Sequence, residues 1–226
     1  MVDNSGKPSS SDQVVATIVS GILSGRYVPG QKLIEADLTQ SVGMSRGPVR
    51  EALKRLSAEG IVALTPHRGA YIRALNRQEA SDLLVILESL TALMARLAAE
   101  AIGKGADTGQ MSDAYNLLER FCGGNSNDIA FIEKRRHFYD ALMAVGANQQ
   151  FPTIMPIMRI HLLRLQAQPY FTAEDRQNRL DEYSAITHAV LDGDVKAAER
   201  TMRRHMKSMQ DRIVRLPDEA FPSLKS

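Results

Sequence analysis

The chain has 226 residues, 44% of them hydrophobic and 24% charged, a balance typical of a globular protein with one large domain or two smaller ones. No apolar run approaches the ~20 residues that cross a bilayer, so the sequence predicts no membrane partner. The single cysteine, Cys122, allows no intramolecular disulfide, and the polar residues 1–11 predict a disordered tail without the apolar core of a secretory signal. We therefore expect a cytoplasmic protein.

The charges are unevenly distributed, although the net charge is only +2. Residues 1–75 carry nine Lys or Arg and six Asp or Glu, and the rest of the chain carries 19 and 20. The basic excess lies in residues 44–73, which have six basic and two acidic side chains. A local basic patch on a nearly neutral protein is typical of nucleic-acid binding.

The first 75 residues predict three helices followed by a β-hairpin. Apolar periodicity, glycine breaks and a Pro/Gly turn set the boundaries. The predicted elements are helices near 14–23, 35–42 and 46–59, and strands near 61–64 and 70–73. This order is that of a winged helix-turn-helix, which we assign to residues 12–75.

The third predicted helix has the amphipathic pattern of a DNA-recognition helix. Its apolar face consists of Val49, Ala52, Leu53 and Leu56. The predicted DNA-binding residues are Ser45, Arg46, Gly47, Arg50 and Lys54 on this helix and His67, Arg68 and Gly69 at the hairpin tip. A basic outer face is, by itself, usually only a solvated surface. The combination of helices and hairpin within about 60 residues favours DNA binding.

From residue 78 to 214 helical periodicity continues without strand signals, internal repeats or heptads, which predicts an all-α domain of about six helices. No Ser-His-Asp arrangement, phosphate-binding loop or H-E-x-x-H motif accompanies it. The sequence therefore predicts no enzyme, and an unrecognised hydrolase site is the alternative from another class.

Four segments resemble GntR-family bacterial transcriptional regulators, and the resemblance is continuous over residues 14–75. The segments are residues 25–33, 45–53, 60–62 and 67–72. Gly47 departs from the family pattern, in which Thr is common. Residues 78–213 resemble, more loosely, the FCD effector domain of FadR-type members, an antiparallel helical bundle. The resemblance implies a homodimer on a palindromic double-stranded DNA operator, contacted through Arg46, Arg50 and the wing, and controlled by a small-molecule effector.

Many members of this family bind a divalent metal through one Asp and three His. The corresponding positions here are Arg135, Tyr139, Tyr183 and His205. A guanidinium does not ligate a cation, and a neutral phenol is a poor ligand. We therefore expect no metal and no other cofactor.

Arg135 lies in the middle of an otherwise apolar helical stripe, which allows two interpretations. It forms an internal ion pair with an acid of a neighbouring helix, or the four residues surround a cavity for a small anionic metabolite, with Arg135 holding a carboxylate. The implied positions favour the cavity slightly. The effector would then shift the dimer between states that fit the operator differently. A metal-dependent sensor of the same family and a ligand-independent DNA-binding protein remain alternatives.

Overall fold

The computed structural model describes residues 8–122 and 129–221, which form ten α-helices, two short 3-10 helices and one three-stranded sheet. The helices are α1 Ser10–Leu23, α2 Glu35–Val42, α3 Arg46–Ala58, α4 Arg77–Gly103, α5 Gly109–Cys122, α6 Ile129–Val145, α7 Phe151–Ile154, α8 Ile157–Ala167, α9 Ala173–Leu191 and α10 Val195–Arg215. The strands are β1 Lys32–Leu33, β2 Val62–Thr65 and β3 Gly69–Ile72. The predicted fold class, a winged helix-turn-helix followed by a helical domain, is confirmed.

The chain forms two compact units. The first contains residues 8–75 and 158–166 with Phe221, and the second contains residues 76–157 and 167–220 of the described chain. The first unit thus includes most of α8 in addition to the winged-helix elements. The functional domain bounds of 12–75 and 78–214 remain a prediction.

Helix α1 begins inside the segment that the sequence predicts as a tail, of which residues 1–7 lie outside the described part. Ser9 caps the helix through a reciprocal pair of hydrogen bonds with Asp12, so the backbone N–H groups of Ser9 and Asp12 both have acceptors. The apolar face of α1, including Val14 and Ile18, is fully buried. It packs on the apolar face of α3, which completes the helical core of the first unit.

The sheet has the strand order β1-β3-β2 and is antiparallel throughout. In the hairpin, Val62 lies opposite Ile72 and Thr65 opposite Gly69, as the two apolar segments predict. Strand β1 was not predicted, because two residues are too few to show an alternating pattern. The chain reverses at His67, whose φ of 61° lies in the left-handed region, and at Gly69, whose φ is 96°.

Helix α8 satisfies backbone groups inside the first unit. The side chain of Gln166 accepts a hydrogen bond from the Leu75 N–H (3.0 Å) and donates one to the Leu75 carbonyl (2.8 Å). His161 Nε2 lies 3.3 Å from the Ile22 carbonyl near the end of α1. All of these contacts are buried. Sequence periodicity predicts α8 as a helix but does not reveal which elements it contacts.

The second unit is built around the long helices α4 and α10, with α9 packed on both. Capping boxes at Asn76 and Thr172 begin α4 and α9, and the Asp194 side chain caps α10. The end of α4 closely approaches the turn between α9 and α10, because a Cβ at Gly193 would lie 3.0 Å from the Gly103 Cα. These contacts hold α9 and α10, which carry Tyr183 and His205, two of the four predicted effector-site residues.

We expect Gln166→Leu to destabilise the first unit by about 3 kcal/mol, because the buried N–H and carbonyl of Leu75 both lose their partner. Urea unfolding monitored by circular dichroism measures the change. The exposed variant Gln149→Leu is the control and is expected to change stability by less than about 0.5 kcal/mol. Equal stability of the two variants would contradict a structural role for Gln166.

Candidate DNA interface and effector site

The recognition helix α3 presents the predicted DNA-binding residues to solvent. Its apolar face is buried, and Ser45, Arg46, Gly47, Arg50 and Lys54 are all exposed. No atom lies within 4 Å of a Cβ built at Gly47, so backbone and ligand can approach closely there. The amphipathic pattern of the sequence is therefore realised in the helix.

The beginning of α3 has the properties of a phosphate-binding helix end. Ser45 occupies the N-cap position with extended dihedral angles, but in the described structure its hydroxyl makes no capping hydrogen bond. The first turn also carries no acidic side chain. Its backbone N–H groups and the helix dipole therefore favour an anion such as a DNA phosphate.

Arg50 forms an ion pair with Glu35 of α2, with its Nε 3.0 Å from the carboxylate. The two side chains are 64% and 40% exposed, so solvent screens the pair and it adds little stability. Arg50 can exchange Glu35 for a base or a phosphate at small cost. The sequence pattern does not reveal Glu35 as a competitor of DNA for Arg50, because the two residues lie on different helices.

The hairpin tip exposes His67, Arg68 and Gly69. The Arg68 N–H donates to the Thr65 carbonyl at 3.1 Å, which closes the turn and projects its side chains away from the sheet. The tip thus exposes the basic side chain of Arg68 together with His67 to solvent.

The structure brings together the four predicted effector-site residues in the second unit. Arg135 and Tyr139 lie on α6, Tyr183 on α9 and His205 on α10, and all four are buried. Arg135 Nε donates to the Tyr183 hydroxyl at 2.8 Å. Tyr139 Oη lies 3.1 Å from His205 Nε2, and the Tyr183 and His205 rings have centroids 4.8 Å apart.

Glu182 determines the tautomer of His205. Its carboxylate lies 2.7 Å from His205 Nδ1 and can only accept, so Nδ1 carries a proton. Complete burial lowers the pKa of His205 and outweighs the opposing effect of Glu182, so the ring is neutral. Nε2 is then the acceptor of the Tyr139 O–H. The result is a directed chain of hydrogen bonds from Tyr139 through His205 to Glu182.

Two acidic side chains of α9, Asp175 and Glu182, pair with Arg212 of α10. Arg212 Nη2 lies 2.8 Å from Glu182 and its Nε lies 3.4 Å from Asp175. Burial would raise the pKa of Glu182, but hydrogen bonds from His205 and Arg212 outweigh it and hold the pKa at about 2. The internal ion pair of this region therefore centres on Arg212, while Arg135 hydrogen-bonds a phenol.

Sequence analysis missed Asp175, Arg179, Glu182 and Arg212. A signal was present, because Asp175, Arg179 and Tyr183 are spaced four residues apart on α9 and so share one face. Arg212 lies two turns after His205 on the buried face of α10. Charged residues that continue a core-facing stripe mark such a cluster.

The residues at the family's metal-binding positions do not fit a divalent cation. The Arg135 guanidinium lies within hydrogen-bonding distance of Tyr183, and a cation there would be repelled. Both ring nitrogens of His205 are already engaged, by Tyr139 and Glu182. Among the residues that the structure describes, no group of three or more His, Cys, Asp or Glu is placed to hold a metal ion.

Two surface depressions of about 300 and 240 Å³ lie elsewhere in the second unit. Both are lined in part by Asp140, and neither contains any of the four predicted residues. No helix among the described residues is long and apolar enough to cross a membrane.

We expect Glu182→Gln to destabilise the protein by about 2 kcal/mol at pH 7, because Arg212 loses the nearer of its two anionic partners. The loss is smaller than for a fully buried pair, since 16% of the Glu182 side chain is exposed. The pKa of about 2 lies below the ordinary 4.5, so this stabilisation is present above pH 4.5 and is lost as the pH falls from 4.5 toward 2.

Denaturant unfolding of both proteins between pH 7 and pH 3 tests this prediction, with the exposed variant Glu133→Gln as a control of equal charge change. The difference between wild type and Glu182→Gln is expected to shrink as the pH falls below 4.5. A difference that stays constant over this range would show that the Glu182 charge does not cause it.

Comparisons with known proteins agree with this architecture. The family described as "Bacterial regulatory proteins, gntR family" matches residues 10–72, and the FCD domain matches residues 82–208, more than half of the chain. A solved structure of McbR/YncC from E. coli shares the fold with a TM-score of 0.73 at 18% identity, over 92% of this chain and 98% of that one.

Two curated relatives cover most of the chain. An uncharacterised HTH-type transcriptional regulator of Streptomyces ambofaciens is 27% identical over 96% of this chain and 89% of its own length. The HTH-type transcriptional repressor GlaR of Escherichia coli is 24% identical over 82% of this chain and 87% of its own length. The chain belongs to the gntR family and is a transcriptional regulator with a DNA-binding helix-turn-helix domain and an FCD effector domain.

Proposed function

We propose that this regulator binds a palindromic operator as a homodimer and that a small carboxylate in the helical unit controls this binding. The observation that carries the proposal is the convergence of Arg135, Tyr139, Tyr183 and His205 from three helices. A buried group of cationic and hydroxyl donors next to aromatic rings suits a small organic anion. The two acids of this cluster, Glu182 and Asp175, both pair with Arg212, and the charge of Arg135 offsets the second negative charge, so the group is not anionic as a whole.

On the DNA side, α3 lies in the major groove in this proposal. Arg46 and Arg50, one turn apart, contact base edges or phosphates, and the start of α3 at Ser45 holds a phosphate. The wing residues His67 and Arg68 contact the flanking backbone. Two copies of this unit on one operator require two half-sites related by twofold symmetry, because a homodimer presents identical recognition helices.

The effector acts by shifting a population. A carboxylate that prefers one arrangement of the dimer changes the fraction of dimers whose recognition helices match the half-site spacing. Operator affinity then changes by the ratio of the carboxylate's affinities for the two dimer arrangements. The first step is local, since the anion reorganises hydrogen bonds between α6, α9 and α10. Control by a metal and binding indifferent to any ligand are the competing functions.

Selection from random DNA duplexes is expected to yield an inverted repeat, and Arg46→Ala is expected to weaken binding to it about 10- to 100-fold. Glu35→Gln is expected to strengthen binding a few-fold, because Arg50 loses its competing partner and a negative charge leaves the DNA face. Fluorescence anisotropy with a labelled duplex at fixed salt measures both changes.

Lys196→Ala is the matched control, since it removes one exposed positive charge from α10 in the helical unit. It is expected to leave operator affinity within about twofold. Equal losses in Arg46→Ala and Lys196→Ala would indicate a general charge effect and contradict specific recognition through α3.

For the effector, we expect a binding carboxylate to raise the melting temperature of the wild type and to change operator affinity. At 100 times its dissociation constant it would stabilise the fold by about 2.7 kcal/mol. Arg135→Ala is expected to weaken the effect at least tenfold, because it removes a buried cation and leaves Tyr183 without its donor. Differential scanning fluorimetry with benzoate and hexanoate measures the shift.

The same assay separates the alternatives. Zn²⁺ or Ni²⁺ is expected to produce no stabilisation, and metal analysis of the purified protein is expected to find no stoichiometric metal. Stoichiometric metal with carboxylate binding that depends on it would establish the metal-dependent sensor. Operator affinity unchanged by every carboxylate would favour the ligand-independent DNA-binding protein.

A further inference from the structure

Arg179 of α9 is a buried arginine to which sequence analysis assigned no role. Its side chain is 0% exposed, and it is the largest fully buried residue of the described chain. Its Nε donates to the Asp175 carbonyl at 3.2 Å. Both terminal nitrogens, Nη1 and Nη2, are buried and have no hydrogen-bond acceptor among the described residues. Two donor nitrogens without acceptors on one buried cation are unusual, and a bound water or ligand is their ordinary explanation.

Aromatic rings lie against the Arg179 guanidinium. Its central carbon is 4.6 Å from the Phe171 ring centroid and 5.5 Å from that of Phe131. The guanidinium of Arg135 lies 5.9 Å from the same Phe131 ring and 5.9 Å from the Tyr183 ring. Arg179 therefore borders the predicted effector site, with Phe131 shared between the two arginines.

The position of Arg179 is unfavourable without an anion. Burial is the main cause that lowers its pKa, to about 10, and the nearby charge of Arg135 adds to it. The side chain still carries its charge at neutral pH. Attraction to the ring faces compensates only part of the lost hydration, because the N–H groups in the guanidinium plane receive no acceptor from the rings.

We propose that Arg179 is the residue that binds the carboxylate of the effector, through bidentate hydrogen bonds from Nη1 and Nη2. The inference rests on the proposed effector function and changes the assignment within it. Arg135 donates through Nε to Tyr183, so it positions that hydroxyl beside the bound acid. Arg212 is not available for this role, because Glu182 and Asp175 already accept from it.

The geometry selects a carboxylic acid with an apolar body. Two parallel N–H groups on one guanidinium edge match the two oxygens of a carboxylate. Phe131 and Phe171 then contact the hydrocarbon part of the ligand, as they contact the arginine. Inorganic phosphate has no such part and would bury its remaining charged oxygens among aromatic rings.

Isothermal titration of the full-length protein with benzoate, hexanoate, the uncharged analogue benzamide and inorganic phosphate tests the proposal. Wild type is expected to bind at least one of the two carboxylates and to bind benzamide and phosphate at least tenfold more weakly. Arg179→Met is expected to weaken carboxylate binding on the order of 100-fold, and Arg179→Lys about tenfold, since lysine retains the charge without the fork.

The ligand-free melting temperature gives an independent measurement. Arg179→Met removes a buried cation whose two terminal nitrogens have no acceptor among the described residues, so the variant is expected to melt at the same temperature as wild type or higher. Arg212→Met is the matched control, and it is expected to melt lower because Glu182 and Asp175 lose their partner. A merely structural role for Arg179 predicts a lower melting temperature for both variants.

The outcomes separate this inference from the proposed function. Failure of wild type to bind either carboxylate would overturn both. Carboxylate binding that survives in Arg179→Met and is lost in Arg135→Ala would retain the function and overturn the role of Arg179. A large drop in the melting temperature of ligand-free Arg179→Met would also overturn it, whatever the titrations show.

Discussion

The polar core of the helical unit depends on Glu182, a carboxylate that accepts hydrogen bonds from two other buried side chains. Nδ1 of His205 and Nη2 of Arg212, both on α10, donate hydrogen bonds to this carboxylate at 2.7 and 2.8 Å. Because the carboxylate stays ionised, it determines which nitrogen of His205 carries the proton, and through it the direction of the Tyr139 hydrogen bond. One charge on α9 thus orders polar groups on α6 and α10.

The residues at the family's metal positions in this cluster differ in chemistry from metal ligands. A guanidinium and two phenols occupy three of the four metal positions, and the fourth, His205, is neutral with both nitrogens engaged. The positive charge at these positions comes from an arginine side chain, which cannot dissociate from the protein as a bound metal ion can. Within the described part of the chain the terminal nitrogens of buried Arg179 have no acceptor, which fits the proposal that a ligand completes the charge of this site.

In the DNA-binding unit, the charged side chains of α3 are exposed to solvent, whereas those of the helical cluster are largely buried. Arg50 and Arg55 of α3 make exposed ion pairs with Glu35 and Asp12, and these pairs contribute little to stability. Such weak pairs restrain the arginine side chains, and replacing the carboxylate partner by a phosphate costs little free energy. The helical core beneath them is apolar, which keeps the recognition surface rigid while its charged residues remain exchangeable.

The sequence by itself determined the winged helix and the run of helices after it, because local periodicity and turn residues report on single elements. It also determined the convergence of Arg135 with His205, because the spacing of these residues is shared with relatives. Strand β1, the hydrogen bonds of Gln166 on Leu75 and the roles of Glu182 and Arg179 were decided only by the tertiary structure. Each of these features depends on a partner far away in the chain. A charge pattern along one helix does not show whether a charged donor on it finds an acceptor on a neighbouring helix.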